Sequence, residues 1–260
     1  MATKKTTTKS PKKAQPRKAS AKATKSTPKR ATGAKAKKSS AEQAAKRPPA
    51  DGEGAPETKP AKKTGSAAIA AAIIADENAP QKVAEQAELL LDSRSTTATK
   101  AARVIGEIAS EKPELLVTHV EKFARSITSS NKRVIQAGAD ALPAIAKLAP
   151  ARVAKHLDTL KAAFDETTLD GKDGLVRTFA NLCTASVAYQ KRLEPVLAKA
   201  LEIADGKTLL RWSQVVLPAL KGEPHARARA VVEDRLDRIP RSTAQQIATT
   251  LNFKLRVRYR

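Results

Sequence analysis

Apolar residues recur along the chain at an interval of 37 residues, and prolines mark the same interval. Pro113 and Pro150 are 37 residues apart, and Pro224 lies 74 residues beyond Pro150. One proline is therefore missing, at Val187. Self-similarity at a period of tens of residues is typical of stacked repeats. The pattern predicts four repeat units, at about 95–130, 131–168, 171–205 and 207–240.

Each unit is predicted to hold two antiparallel helices, because its apolar residues follow a helical spacing. The proline ends the first helix and starts the second. Positions one period apart should form buried columns: Ile105, Leu142, Phe179 and Val216; Ile108, Ile145 and Leu182; Phe123, Leu160 and Leu197; Ile127, Phe164 and Leu201. In the third unit Pro195 lies inside the second helix instead, and we expect a kink or a shifted helix start there.

The two ends of the array differ from its units. Residues 66–92 are predicted to be a capping helix pair: Ser66 begins a short helix to Ala75, and Pro80 opens a second helix to about Leu91. An array needs such caps because its outermost face is otherwise bare. Residues 241–260 are predicted to be a terminal helix and a basic tail. Their last ten residues, LNFKLRVRYR, alternate apolar and polar, which favours an extended strand or a frayed tail.

Two helices per period with a proline at the turn resemble HEAT repeats, and the stretch Asn131–Pro150 is the most similar to that family's pattern. The resemblance covers about residues 95–240 and implies an all-α fold, an α-solenoid of stacked antiparallel helix pairs. It implies that the second helices line a concave binding face. HEAT arrays serve as scaffolds, transport receptors, chromosome-organising subunits and a few DNA glycosylases, so the resemblance leaves function open.

Charge is concentrated at the N-terminus. The chain has a formal net charge of +23, and residues 1–65 hold 19 of its 49 Lys and Arg with only four acids. These residues include no Leu, Ile, Val, Phe, Tyr or Trp, so they cannot bury enough apolar surface to fold. We predict a disordered basic arm over residues 1–65 and a helical domain over residues 66–260. A basic arm on a milder body indicates a polyanionic partner, most often nucleic acid.

Two tetrapeptides of the arm, SPKK from Ser10 and TPKR from Thr27, resemble the tails of linker histones. The resemblance implies contact with the DNA backbone, and phosphorylation of Ser10 or Thr27 would weaken it by adding negative charge. The predicted phosphate contacts in the arm are Lys12, Lys13, Lys29, Arg30, Lys37 and Lys38.

Paired basic residues further along the arm match a bipartite nuclear-import signal: Lys46 with Arg47, and Lys62 with Lys63. Two ordinary basic patches in a lysine-rich segment explain them equally well. The single cysteine allows no disulfide within the chain, which fits a reducing compartment. We expect an intracellular protein of the nucleus and chromatin, or of a bacterial nucleoid, with no membrane span.

A basic column runs through the second helices. Lys155, Arg192 and Arg229 are spaced by one period of 37 residues, and Thr118 holds the position in the first unit. Equivalent positions on stacked repeats are neighbours, so these side chains could form a ladder for phosphates. Arg235, Arg256 and Arg258 are further predicted contacts. The alternative is a solvated helix face neutralised by nearby acids such as Asp158, Glu194 and Glu233.

Catalytic chemistry finds little support in the sequence. No catalytic constellation, metal motif or cofactor loop is present, and we expect neither cofactor nor small-molecule substrate. His119 and His156 are interpreted as interface residues, Cys183 as a buried small hydrophobe and Trp212 as core. Only seven aromatic residues occur in the chain, which disfavours a HEAT-like glycosylase.

These observations predict a non-enzymatic protein that binds duplex DNA or chromatin through the phosphate backbone. The first alternative is a scaffold or adaptor that grips a protein partner on its concave face, with the arm as a localisation segment. An RNA- or ribosome-associated factor and a DNA glycosylase are less favoured.

Overall fold

Helices joined by short turns make up the part of the chain that the structure, a computed structural model, describes: residues 65–253. In order they are α1 (Gly65–Ile74), α2 (Ala79–Leu89), α3 (Ser95–Glu111), a 3-10 helix (Pro113–His119), α4 (Val120–Ser126), α5 (Lys132–Leu148), α6 (Pro150–Ala154), α7 (Leu157–Glu166), α8 (Leu169–Ala185), α9 (Val187–Ile203), α10 (Gly206–Ala219), α11 (Gly222–Leu236) and α12 (Arg241–Leu251). No strand occurs between residues 65 and 253. The predicted all-α solenoid is confirmed.

The 37-residue period sets where the first helix of each unit begins and ends. Helices α3, α5 and α8 are each 17 residues long and start one period apart, and α10 starts in the same register. The residues that precede them, Arg94, Asn131, Thr168 and Asp205, keep the same spacing. Asn131 and Asp205 accept hydrogen bonds from backbone N–H groups of the first turn. Local capping therefore reinforces the register.

The predicted apolar columns form the core. Ile105, Leu142, Phe179 and Val216 are all fully buried, and so are Phe123, Leu160 and Leu197 in the second helices. The small residues beside the first column, Ala146 and Cys183, are buried as well. One continuous apolar core thus runs from α1 to Phe253, with each unit packing on the next.

The first helices α3, α5, α8 and α10 pack against one another in a layer that we call the first-helix layer. Its tightest contact joins α5 and α8, where a Cβ added to Gly174 would lie 2.4 Å from Cα of Ala139. Only glycine permits that approach. Gly138 in α5 is similarly close to Ser126, since a Cβ there would lie 2.2 Å from the Ser126 hydroxyl oxygen.

The second helices form the other layer, the second-helix layer, and differ from unit to unit. In the first two units a short segment follows the proline, the 3-10 helix or α6, and a separate helix comes after it, α4 or α7. In the third unit α9 is a single helix that continues through Pro195. It begins at Val187, where the period places it, so the expected shift of its start is wrong. Ser186 replaces the missing proline by accepting a hydrogen bond from the N–H of Ala188 at 3.3 Å.

Helices α1, α2 and α12 lie at the two ends of the described array. Helices α1 and α2 form the N-terminal pair, and Pro80 lies in the first turn of α2. At the other end Leu251 is the last residue of α12, so a strand starting there is wrong. Leu251 continues the helical spacing of Ala244, Ile247 and Ala248, which outweighs the period-two alternation. The predicted arm up to residue 64 and the tail from residue 254 lie outside the described residues.

Candidate binding surface

Four of the predicted contact residues lie in the described part of the chain: Lys155, Arg192, Arg229 and Arg235. The others lie outside it: Lys12, Lys13, Lys29, Arg30, Lys37, Lys38, Arg256 and Arg258, together with the phosphorylation candidates Ser10 and Thr27 and the import-signal residues Lys46, Arg47, Lys62 and Lys63. Residues 65–253 contain 26 basic and 22 acidic residues. The array itself is therefore close to charge balance.

The predicted basic column lies on the second-helix layer, where its middle member has an acidic neighbour. Arg192 on α9 pairs with Asp158 on α7, whose carboxylate oxygen lies 3.6 Å from the guanidinium. Asp158 also pairs with Lys161 at 2.9 Å. The hydrogen bond and charge of Lys161, with a smaller effect of Arg192, lower the pKa of Asp158. The position equivalent to Asp158 is Glu121 in the first unit and Pro195 in the third.

Similar ion pairs join the N-terminal cap to the first unit, the second unit to the third, and the third unit to the fourth. Each pairs an acid on one second helix with a base 33 or 34 residues later: Glu88 with Lys122 at 3.0 Å, Asp165 with Lys199 at 2.6 Å, and Glu194 with Arg227 at 2.7 Å. Of the three acids considered as neutralising partners, Asp158, Glu194 and Glu233, each holds a basic side chain. Most cations of the second-helix layer are thus shared with the array's own carboxylates.

Arg229 and Arg235 bind parts of their own chain. Arg229 pairs with Glu233 at 3.2 Å and donates to the carbonyl of Asn252 at 3.3 Å. Its guanidinium also lies 4.2 Å from the centre of the Phe253 ring, a cation–π contact. Arg235 donates to the carbonyl of Ala204, just past the end of α9, at 2.7 Å. These contacts join α11 to Asn252 and Phe253 and to the residue that follows α9.

Lys155 is placed differently from the other two members of the column. It lines a groove of about 370 Å³ between the first and second units. The lining residues are Val117, Thr118, Val120, Glu121, Arg152, Lys155 and His156. Thr118 lies beside Lys155, as the period predicts. Neither Lys155 nor Arg152 forms an ion pair with another described residue, so the groove offers two unpaired cations and one carboxylate.

A larger groove of about 680 Å³ was not foreseen from the sequence. It opens where α4 ends at Ser126, three residues before the position at which α7 and α9 end. Hydroxyl groups of Thr128, Ser129 and Thr159 line its rim, and Val134 lies in its apolar floor. The Ser-Ser pair at 129–130, which is typical of turns, is the sequence signal for the early end of α4.

The first-helix layer carries a polar network across three helices. Asp173 on α8 accepts a hydrogen bond from the indole N–H of Trp212 at 2.9 Å and pairs with Arg211 at 2.9 Å and Arg177 at 3.1 Å. Arg177 also pairs with Asp140 on α5 at 3.3 Å. Asp140 and Arg177 are one period apart, so their pairing could have been predicted. Trp212 is buried, which confirms its assignment to the core.

The remaining candidates carry no reactive arrangement in the described residues. Cys183 is buried as predicted, and burial raises the pKa of its thiol to about 12. Burial, assisted by Lys122, lowers the pKa of His119. No three His, Cys, Asp or Glu side chains between residues 65 and 253 are grouped to hold a metal ion. None of the helices in that range is long and apolar enough to cross a membrane.

The comparisons with known proteins concern the fold. No protein-family model matches the sequence, and no curated protein matches it closely. An engineered protein of solved structure is similar with a TM-score of 0.54 and 22% identity, covering 71% of this chain and 83% of its own. A computationally designed armadillo repeat protein for modular peptide recognition gives 0.53 and 15%, covering 72% and 91%. Another, in complex with the peptide (KR)4, gives 0.51 and 16% over the same shares. At these identities the likeness shows the fold alone: the chain is an α-solenoid of helical repeats.

Proposed function

We propose that the chain is a non-enzymatic scaffold whose second-helix layer binds a segment of a protein partner. The observation that carries this proposal is the groove between the first and second units, where Arg152 and Lys155 are unpaired among the described residues. Elsewhere in the layer most cations pair with carboxylates of the array, with Arg125 and Lys191 among the exceptions in the described residues, which leaves few groups for a continuous row of phosphates.

An acidic segment fits this groove best. Arg152 can bind a carboxylate through two parallel N–H groups, and Lys155 adds a second charge. Val117, which is partly buried, supplies apolar contact beside them. The designed armadillo protein that binds (KR)4 has the same kind of fold and holds an alternating cationic peptide. In this chain the groove holds two unpaired cations and the single carboxylate of Glu121, so its charge balance favours an acidic partner instead.

Selection from a peptide library displayed against the full chain tests the proposal. We expect enrichment of acidic peptides and at least about a tenfold loss of affinity in the double variant R152E/K155E, since each charge-assisted bond contributes about 1.5–3 kcal/mol. The matched control is K100E/R103E, which reverses two exposed charges on the first-helix layer. If R152E/K155E binds the selected peptides as tightly as K100E/R103E does, the groove is not the binding site.

A second candidate function, DNA binding, is supported by the charge of the arm. Residues 1–65 carry a net charge of +15, and residues 254–260 add four basic residues and no acid. We propose that these segments contact phosphates, that the repeats are of the HEAT type, and that the arm acts like a linker-histone tail in a nucleus or nucleoid. Its affinity should fall steeply with salt, because each contact releases a counterion.

Titration with duplex DNA, duplex RNA and single strands at several salt concentrations tests this second function. The full chain should prefer duplex DNA and show a steep salt dependence, and a chain beginning at residue 65 should lose most of both. Failure of the full chain to bind duplex DNA near physiological salt contradicts it. Preference for RNA would move the proposal to an RNA-associated factor.

A further inference from the structure

The two terminal helices of the described array differ in the polarity of their outward faces. Helix α12 presents polar residues outwards, among them Arg241, Gln245 and Thr249. Helix α1, with the sequence GSAAIAAAII, has no charged side chain. Ala70 and Ile73 are buried against the array, and the exposed side of α1 consists of Ala68, Ile69 and Ala72, with Ala75 just after its last residue. Ile69 is 51% exposed.

An exposed apolar face is unusual at this position. Terminal repeats of a stacked array normally have a polar outer face, as α12 does. A helix that is apolar on all sides is typical of a buried helix. Helix α1 covers α3, but no described residue covers α1 on its outward side. The face therefore lacks a partner.

The chain itself contains one segment of matching chemistry outside the described residues. Residues 1–64 have no Leu, Ile, Val, Phe, Tyr or Trp and cannot supply an apolar cover. Residues 254–260, KLRVRYR, alternate Leu255, Val257 and Tyr259 with four basic residues. In an extended segment, alternate side chains point to opposite sides. One side of this segment would be apolar and the other cationic.

Charge complementarity points to the same pairing. The N-terminal cap, residues 65–93, has five acids and one base, a net charge of −4. Residues 241–260 have a net charge of +5. Asp76 and Glu77 follow directly after the apolar face, and Glu77 forms no ion pair with another described residue. A segment with apolar and cationic sides can therefore match both features at once.

We propose that residues 254–260 of a second copy of this chain dock on the outward face of α1 and link copies head to tail. The contact cannot form within one copy. Phe253 packs in the last unit, and helices that pack side by side are about 8–10 Å apart, so the four steps from α1 to α10 place it roughly 32–40 Å from α1. Seven residues span at most about 25 Å. Such an interface is heterologous, so an open assembly keeps a free α1 face at one end and a free tail at the other.

The start of the docking segment is held in place by the array. Asn252 adopts the left-handed conformation, with φ of 54°, and its carbonyl accepts the hydrogen bond from Arg229. Phe253 is buried beneath the same guanidinium. The segment therefore leaves the array from a fixed point at its C-terminal end, which favours binding by a neighbouring copy over fraying.

Sedimentation velocity of the full chain over a range of concentrations tests the proposal. We expect concentration-dependent association that salt weakens, and we expect the α1 variant A72E and the tail variant R256E/R258E each to remain monomeric. An equimolar mixture of these two variants should form dimers and nothing larger, because only one intact face and one intact tail can meet. T249E on α12 is the control for an added exposed charge and should associate like the unaltered chain.

Three results overturn the proposal. The unaltered chain could remain monomeric at every concentration. The tail variant could associate as the unaltered chain does, which would mean that α1 pairs with α1. The mixture of the two variants could remain monomeric. Circular dichroism of each variant, with a helical signal equal to that of the unaltered chain, excludes unfolding as the cause.

Discussion

The two helix layers of the array have the same 37-residue period, but the helices of the first-helix layer are more uniform in length and type than those of the second-helix layer. In the first-helix layer three helices have the same length, and their starts are one period apart. In the second-helix layer one unit has a 3-10 segment, the next a short α-helix and the third a single long helix. Backbones touch in the first layer, where a glycine is required, whereas long charged side chains bridge the second. Close backbone contact thus requires regular helices in the first-helix layer, whereas side-chain contacts allow the helices of the second-helix layer to vary.

The largest expected effect comes from breaking the backbone contact of the first-helix layer. Gly174→Val places atoms where Ala139 already lies, so we expect a loss of about 3 kcal/mol of unfolding free energy or a failure to fold. Urea denaturation followed by circular dichroism measures it. The control is Gly106→Ala in α3, where a Cβ would have no neighbour within 4 Å. That change should stabilise the chain by about 0.5–1 kcal/mol.

Substitution of one aspartate in each layer compares how much the ion pairs of the two layers contribute to stability. Asp173 in the first-helix layer is 15% exposed and binds Trp212, Arg211 and Arg177, so D173N should cost about 1.5–3 kcal/mol. Asp158 in the second-helix layer is 79% exposed, and D158N should leave the urea midpoint unchanged, since water screens its pairs. Equal losses for the two variants would contradict the distinction between the layers.

The cap of α10 tests how far local hydrogen bonds hold the register. Asp205→Ala removes the acceptor for the N–H of Thr208 at 2.7 Å and should cost about 1 kcal/mol. That hydrogen bond lowers the pKa of Asp205. Its stabilisation is therefore complete above the carboxyl's unfolded pKa of about 3.9 and disappears as the pH falls through the lower folded value. Thermal melts should differ between variant and unaltered chain at pH 7 and converge in acid.

The smallest effect is expected where the third unit is made more like the first two. Val187 is the first residue of α9, a position that tolerates proline, and its side chain is exposed. Val187→Pro should raise the unfolding free energy by less than about 1 kcal/mol, because proline restricts the unfolded chain. A clear loss in the same urea measurement would mean that the capping by Ser186 requires a different backbone at this position.

Much of the fold was predictable because two patterns agree. The helical spacing of apolar residues shows which side of each helix is buried, and the 37-residue period shows which residues of different units are equivalent. The ion pairs of the second-helix layer were not predictable, because they join residues 33 or 34 apart, about one helical turn short of the period. The offset depends on how far neighbouring helices are staggered, which one sequence does not reveal. The bond from Arg235 to Ala204 required knowing where α9 ends. The basic column as a binding site stays a prediction, and the carboxylates paired with Arg192 and Arg229 were visible only in three dimensions.

The most direct test of the account compares two ligands on the array alone. Residues 65–253 share one core and can be prepared without the arm and tail. Titration near physiological salt, with the acidic peptide selected on the full chain and with duplex DNA, separates the two functions. We predict that this fragment binds the peptide, loses that binding in R152E/K155E, and does not bind duplex DNA measurably. Tight binding of duplex DNA by the fragment, with no affinity for the peptide, would contradict the account.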